Sequence, residues 1–554
     1  MDDCTMFELV RNRAEAYGDR IAMDFLGRRI GFPAFLADVE RTAAGLVRAG
    51  VGPDDVVTLC LPNTPHAVVA FYAANRIGCI LNMVHPLSPP EELMRSMHGA
   101  RSRVLVILDA FLPKHRARLA QDGVRLVVAC SLQDYLPKVK GVLFGLTTGR
   151  KIPKVAETPS LLRWRSLAGP EGEGAHAGAS LRRIEPRGPA VYLHSGGTTG
   201  SPKTVMLSSM NFNLLAAAGP ALIGIDESAT AGHSMVSILP FFHGFGLCMG
   251  MHAMMVNGIT AILVPKFNAE ELARVVRRSR PTLMAGVPTL FDGMIANPLL
   301  RKADLSSLFA VFCGGDTLTV DLKERFDAFL AEHGAACRLR EGYGLTETVT
   351  VCCLNPVGAD RAGTVGTPLA GMRMSVVEPG TTRLLPPGEP GELCVNAPTT
   401  MIGYLDDPEA TAAALWTHPD GLVWVHTGDF GSMDADGYVR FLQRLKRIIK
   451  VSGVPVFPSQ VEDTVMGLAE VAACCAVPVP DPHRVHTVRL YAVPAPGEAA
   501  DDALRERIVA RCKENLIIYA VPTSIVFRDA LPRTLIGKTD AAALEREAAQ
   551  EATP

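Results

Sequence analysis

Apolar positions follow two rhythms along this chain. Between residues 5 and 130, short unbroken apolar runs alternate with longer, helically patterned stretches. VVTLCL (56–61) and VLVILD (104–109) predict buried parallel strands, because a strand covered on both faces loses its polar alternation. HAVVAFYAANRIG (66–78) predicts the helix after the first of them. The alternation resumes at Ala190. NAEELARVVRRS (268–279) is amphipathic with Asn268 placed to cap it, and DLKERFDAFLAEHGA (321–335) is a helix that Gly334 can end. After about residue 360, Gly and Pro pairs punctuate short runs such as GELCVN (391–396) and LVWVHTGD (422–429), the mark of twisted antiparallel sheet. FLQRLKRIIKVSG (441–453) then precedes a new apolar pattern, a candidate boundary to a small C-terminal domain.

One uncharged stretch tests this picture. Residues 228–264 hold no Asp, Glu, Lys or Arg, and FGLCMGMHAMMVNGITAILV (245–264) is long enough to span a bilayer. It carries His252, Asn257 and several glycines, and Pro240 and Pro265 bracket it, so a buried helix followed by a buried strand is expected. Residues 138–188 differ again. Lys138, Lys140, Arg150, Lys151 and Lys154 precede the loose run GPEGEGAHAGAS (169–180), which reads as a linker. The basic part has the composition to touch anionic lipid; a solvated surface excursion is the plainer reading.

Composition narrows the class. A chain of 554 residues, 48% hydrophobic and 20% charged, calls for several structural units. A net charge of -2 gives no basic excess for nucleic acid. The 13 cysteines show no C-x-x-C spacing and suit small core positions in a reducing, cytoplasmic setting. MDDCTMFELV lacks the basic and apolar regions of a secretory signal.

LHSGGTTGSPKT (193–204) has the composition of a phosphate-wrapping loop. It fails the common NTPase spacing, because Ser201–Pro202 separates Gly200 from Lys203 and proline has no N–H to offer. Ser195, Thr198 and Thr199 still supply hydroxyls, while Gly196, Gly197 and Gly200 let backbone N–H groups approach anionic oxygens. By itself such a stretch is more often a glycine-rich turn than a nucleotide site.

The stretch YLHSGGTTGSPKTVMLS resembles the signature of the adenylate-forming (AMP-binding) superfamily, which includes acyl-CoA synthetases, aryl-acid ligases, luciferases and peptide-synthetase adenylation domains. Further resemblances follow in that family's order over residues 192–538: PFFH (240–243), CGGDTL (313–318), EGYGLTET (341–348), GELCVNAPTTMIGYLDDPEAT (391–411), HTGDFG (426–431), QRLKRIIKVSGVPVFPSQVE (443–462) and LPRTLIGK (531–538). The resemblance implies an α/β (multi-domain α+β) fold. Two doubly wound α/β subdomains and a small β-barrel would make a large N-terminal domain, 1–443. A hinge, 444–446, would lead to a small mobile α+β domain, 447–554. It also implies the acyl-CoA synthetase reaction: ATP and a carboxylate give acyl-AMP and pyrophosphate, and coenzyme A then takes the acyl group.

Residue roles follow from the same resemblance. Ser195, Gly196, Gly197, Thr198, Thr199, Gly200 and Lys203 would hold pyrophosphate, stabilising charge where it develops. Gly315 and Asp316, in the turn CGGDTL, and Glu341 would border the adenine. Tyr343 would offer it a flat face, with Gly342 and Gly344 leaving room. Thr346 would donate to the α-phosphate and Glu347 would hold Mg²⁺. Asp429 would accept both ribose hydroxyls, and Arg444 would approach the ribose or the phosphates. Lys446 is the implied pivot. Lys538 would neutralise charge in the adenylation transition state, and the loop around Gly453 would face coenzyme A afterwards. Without the family context these residues are ordinary turn, cap and surface residues.

His243 would stand beside the reacting carboxylate. The uncharged run offers no acid to pair an amino-acid ammonium, so a simple acid is expected. Gly244, Gly246, Gly250, Gly314 and Gly315 would leave space, with Phe241, Phe245, Met249 and Met251 as apolar walls for a medium or long chain. An aryl acid, a carrier protein as acceptor, and a non-catalytic nucleotide- or acyl-binding paralogue are the competing readings. Several positions depart from the pattern, among them His194, Thr204, Gln443 and Arg447. Neither a nucleic-acid partner nor a transmembrane segment is expected; peripheral membrane contact and a monomer or homodimer stay open.

Overall fold

The computed structural model describes residues 3–169, 184–195, 203–452, 454–481, 483–533 and 539–552. Four sheets organise them. The first runs Gly403–Tyr404, Thr204–Ser208, Pro189–His194, Ile80–Met83, Val56–Cys60, Val104–Leu108, Leu126–Cys130, Leu161–Arg163. Its interior pairs are parallel, while the edge made by Thr204–Ser208 and Gly403–Tyr404 is antiparallel. The predicted runs at 56 and 104 are central here and buried, as their lack of alternation requires. Helix Pro65–Ile77 packs between this sheet and its neighbours with nearly every residue buried.

The second sheet runs Thr367–Pro368, Val351–Leu354, Leu339–Gly344, Ala310–Cys313, Leu283–Gly286, Ser234–Ser237, Thr260–Leu263, Ile21–Phe25, Arg28–Gly31. Asn268 caps helix Ala269–Ser279 by accepting the Glu271 N–H at 2.8 Å, and helix Val320–Glu332 follows the next crossing. The uncharged run resolves into a π-helix, Phe245–His252, continued by Ala253–Val256, and then the strand Thr260–Leu263. No helix among the described residues is long and apolar enough to cross a membrane.

The third sheet is antiparallel, Arg373–Val377, Gly391–Asn396, Val423–Met433 and Leu415–Thr417, with Val439–Arg444 also paired to Val423–Met433. The chain then leaves this sheet through a short turn, Leu445–Arg447, and Ile449–Val451 enters a fourth sheet of Val454–Val456, Val485–Pro494, Val471–Asp481 and Ser524–Phe527. That sheet and helices Pro458–Met466, Asp502–Asn515 and Ala541–Ala552 form the smaller α+β unit, with its own apolar core around Val461, Leu490 and Ile508. All thirteen cysteines are free thiols, and most are buried.

Candidate active site

An edge hairpin closes the base of the LHSGGTTGSPKT loop. His194 stands opposite Thr204, and the Ser195 N–H donates to the Lys203 carbonyl at 2.9 Å. Gly196, Gly197, Thr198, Thr199 and Gly200 lie outside the described residues, as do Gly453 and Lys538. The departures His194 and Thr204 form one cross-strand pair. His194 Nδ1 lies 3.2 Å from Thr204 Oγ1, and Nε2 lies 2.8 Å from Asn82 Oδ1 and 3.0 Å from Ser96 Oγ. Burial lowers the His194 pKa to about 4, so the ring is neutral at physiological pH. The network then assigns its proton to Nε2, which donates to Asn82, while Nδ1 accepts from Thr204. This pair ties the loop's stem to the strand Ile80–Met83 and the helix Pro90–Gly99.

Lys203, on the same stem, places its ammonium 4.6 Å from the centre of the Tyr404 ring. Tyr404 donates its hydroxyl to Glu347 Oε1 at 2.7 Å. Burial, and then the Glu347 charge, keep that phenol protonated well above its ordinary range. Tyr404 has no role in the sequence reading, although it lies inside the quoted 391–411 motif. Its position depends on the two-residue strand Gly403–Tyr404 adding to the sheet edge beside Val205 and Met206, a pairing across some two hundred positions of chain.

EGYGLTET ends the strand Leu339–Gly344, makes a tight turn at Thr346–Thr348, and returns along Val351–Leu354. Between turn and return strand, Val349 is buried with φ 69° and ψ -59°, a γ-turn geometry costly for a β-branched residue. The turn interlocks with PFFHGFG. A Cβ on Gly244 would overlap the Val349 carbonyl oxygen, one on Gly246 the Leu239 and Pro240 carbonyls, and one on Gly344 the Thr350 carbonyl. These three glycines therefore leave no room for a ligand; their missing side chains are replaced by backbone. Gly250 is buried, and a Cβ on it would meet the Phe241 and Ser237 side chains at 4.0 Å, ordinary packing contact, so a methyl fits there without a clash. Phe241 and Met251 are fully buried core residues, whereas Phe245 and Met249 are partly accessible. His243 opens the turn into the π-helix, its carbonyl accepting the Leu247 N–H at 2.8 Å and its ring 5.1 Å from Phe242. Short π-helical segments recur at functional sites. His252 is structural: burial holds its pKa at about 3, and its nitrogens lie 2.9 Å from Tyr72 Oη and 2.9 Å from Asn213 Oδ1.

The ribose-side residues meet on the third sheet. Asp429 is buried and pairs with Arg444 across adjacent strands, the Arg444 Nε lying 3.0 Å from Asp429 Oδ1. Tyr343 donates its hydroxyl to Asp429 Oδ2 at 2.6 Å and stacks on Phe441, centroids 6.0 Å apart. The Asp429 charge, with Tyr343, Glu347 and Tyr404 nearby, holds the Arg444 guanidinium above its ordinary pKa. Both Asp429 oxygens are thus engaged, so a ribose would share or displace these partners. Tyr343 is correspondingly less open as an adenine platform than its motif suggests. Gly315 (φ 81°) and the exposed Asp316 follow the strand Ala310–Cys313, where parallel strands end and crevices form. Glu341 is buried, its carboxyl pushed up to about 8 by desolvation, with the Leu318 N–H 3.4 Å from Oε1. Beneath Asp429, His418 and His426 face each other at 3.0 Å beside Cys394, and Glu392 binds both the His426 ring (3.1 Å) and the Gly428 N–H (3.1 Å). This buried group braces the bend that presents Asp429.

Two family models match. The AMP-binding enzyme model covers residues 10–405, and the AMP-binding enzyme C-terminal domain model covers 460–538. The chain belongs to the AMP-binding enzyme family. It is an AMP-forming acid–thiol ligase of the adenylate-forming class. Among curated relatives, this AMP-binding enzyme is 32% identical over 537 residues to the long-chain-fatty-acid–CoA ligase of Bacillus subtilis (strain 168), covering 96% of this chain and 93% of the relative. It is 30% identical over 538 residues to a 3-[(3aS,4S,7aS)-7a-methyl-1,5-dioxo-octahydro-1H-inden-4-yl]propanoyl:CoA ligase of Rhodococcus jostii (strain RHA1), covering 96% of both. Its fold matches ATP-bound MatB from Rhodopseudomonas palustris with a TM-score of 0.83 at 23% identity, over 99% of this chain and 100% of that one.

Proposed function

We propose that this AMP-binding enzyme activates a medium- or long-chain fatty acid with ATP and transfers the acyl group to coenzyme A. The observation that supports it most is the meeting, from motifs spread over about 240 residues, of two contact groups, Lys203–Tyr404–Glu347 and Arg444–Asp429–Tyr343, with Arg444 in the electrostatic field of Glu347. Together they supply cations for phosphates at one end and a carboxylate for sugar hydroxyls at the other. The carboxylate oxygen of the acid attacks the α-phosphorus, and the bond to the β-phosphate oxygen breaks as pyrophosphate leaves. The acid is already ionised at neutral pH and needs no base; it needs relief from phosphate repulsion. Lys203 and the loop above it would take up charge on pyrophosphate, and Lys538 charge around the carboxylate and α-phosphate. In the second step the thiolate sulfur of coenzyme A attacks the acyl carbon and AMP leaves.

Glu347 is a hard oxygen donor that fits Mg²⁺, which when bound would screen the phosphate charges, and the Thr346 hydroxyl would donate to the α-phosphate. The partly accessible Phe245 and Met249 support an aliphatic chain, and the names of the curated fatty-acid relatives point the same way. The division 1–443, hinge 444–446 and 447–554 belongs to this proposal, as does a cytoplasmic location. Measuring pyrophosphate release against acids of graded chain length, with and without coenzyme A, tests the reading. Release should peak at medium or long chains and acyl-CoA should accumulate. If no acid supports release the enzyme reading fails, and preference for aryl acids overturns the substrate class. Release without coenzyme A consumption points to a carrier-protein acceptor.

A further inference from the structure

Helix Lys138–Leu146 turns its apolar face outward. Val139, Val142, Leu143 and Leu146 are 82, 63, 60 and 63% exposed. Their spacing puts them on one helical stripe. The opposite side is pinned: Gly141 is buried, with the Gln133 and Leu136 side chains 3.8 Å from where its Cβ would be, and Lys140 donates to the Leu26 carbonyl at 2.6 Å. The helix therefore cannot roll its stripe inward without losing these contacts. Along the chain the charge has one sign from residue 138 to 156, and the next acid, Glu157, is paired with Arg163 at 2.8 Å. Residues 138–156 contain Lys138, Lys140, Arg150, Lys151 and Lys154 and no Asp or Glu. Lys138, Arg150, Lys151 and Lys154 are exposed, and the short turn Thr148–Lys151 sets Arg150 and Lys151 just past the helix end.

We propose that this face is a docking surface for an anionic lipid bilayer, with the stripe entering the headgroup boundary and the cations meeting lipid phosphates. An apolar stripe bordered by Lys and Arg, without acids, is the pattern of a helix that lies in the interface plane. Four apolar side chains make the contact shallow and reversible. The inference rests on this helix and its flanks and not on the ligase reading, so the test below reads binding and not turnover.

The full chain is mixed with phosphatidylcholine vesicles with or without phosphatidylglycerol, at low and high salt, and sedimented. Retention only on the anionic vesicles, lost at high salt, is the expected result. The triple variant Arg150→Glu, Lys151→Glu, Lys154→Glu should partition at least about a hundred-fold more weakly, at roughly five-fold per lost cation. Leu143→Asp with Leu146→Asp should also abolish retention, and the distant Arg277→Glu should leave it unchanged. Circular dichroism melts confirm that each variant folds. No retention on anionic vesicles, or wild-type retention of both patch variants, overturns the proposal. So does a concentration-dependent dimer that the double Asp variant abolishes without any vesicle binding, which would assign the face to a second copy.

Discussion

Tyr404 and Glu347 share the 2.7 Å hydrogen bond that joins the phosphate-side lysine to the proposed cation-holding carboxylate. A hydrogen bond to a charged group is worth about 1.5–3 kcal/mol. Tyr404→Phe should therefore slow pyrophosphate release by roughly ten- to a hundred-fold while leaving the melting temperature nearly unchanged; a wild-type rate would remove Tyr404 from the site. Glu341 makes a different statement. Its folded pKa, about 8, stands above the ordinary carboxylate value, so the native state keeps a proton that the unfolded chain has lost. Its contribution to stability is full below about pH 4 and fades as the pH rises through 8. Thermal melts from pH 5 to 8 should show wild type losing stability relative to Glu341→Gln, by up to about 1.4 kcal/mol per pH unit. A constant difference across that range would contradict the buried, protonated carboxyl. His194 has the opposite sign: with its pKa depressed to about 4, its contribution is intact above about pH 6.5 and is lost toward pH 4.

Between elements, the decisive contact is the interlock of the EGYGLTET turn with PFFHGFG. Gly244→Ala puts a methyl where the Val349 carbonyl sits, and either the strained Val349 turn or the entrance to the π-helix must move. Overpacking of this kind costs about 1–3 kcal/mol. We expect a lower melting temperature together with reduced pyrophosphate release, because the displaced turn carries Glu347. Gly250→Ala, whose methyl would meet Phe241 and Ser237 only at ordinary packing distance, should leave the melting temperature intact and, by adding bulk to the proposed acyl wall, shift chain-length preference toward shorter acids. Equal effects from both substitutions would show that the two glycines do the same job.

At the scale of the molecule, the chain passes from the third sheet to the fourth within Leu445–Arg447. Phe430 and Phe457 stack across this passage, centroids 5.3 Å apart, and Ser459 lies 3.4 Å from Gln443. If Lys538 serves adenylation and the smaller unit then turns to admit the thiol, Lys538→Ala should lose acyl-AMP formation yet largely keep coenzyme A attack on supplied acyl-adenylate. Equal loss of both half-reactions would end that division of labour.

The sequence alone determined the elements with strong local signals. Buried parallel strands at 56 and 104, the Asn268 cap and the order of motifs over 192–538 were all legible, because burial on both faces, capping chemistry and loop composition are written in neighbouring residues. The cysteines were equally legible as core residues. What only the tertiary structure decided depends on backbone approach in the folded chain. Gly244 looked like space and is filled by the distant Val349 carbonyl, while Gly246 and Gly344 are filled by carbonyls of their own folded loops, Leu239 and Pro240 for one and Thr350 for the other. Tyr404 joined Glu347 only because two residues of strand added to a distant sheet edge. His194 and Thr204 acquired a purpose only when Asn82 and Ser96 came beside them. A side chain's partner across a fold is fixed by sheet order and register, and no local pattern of residues encodes those.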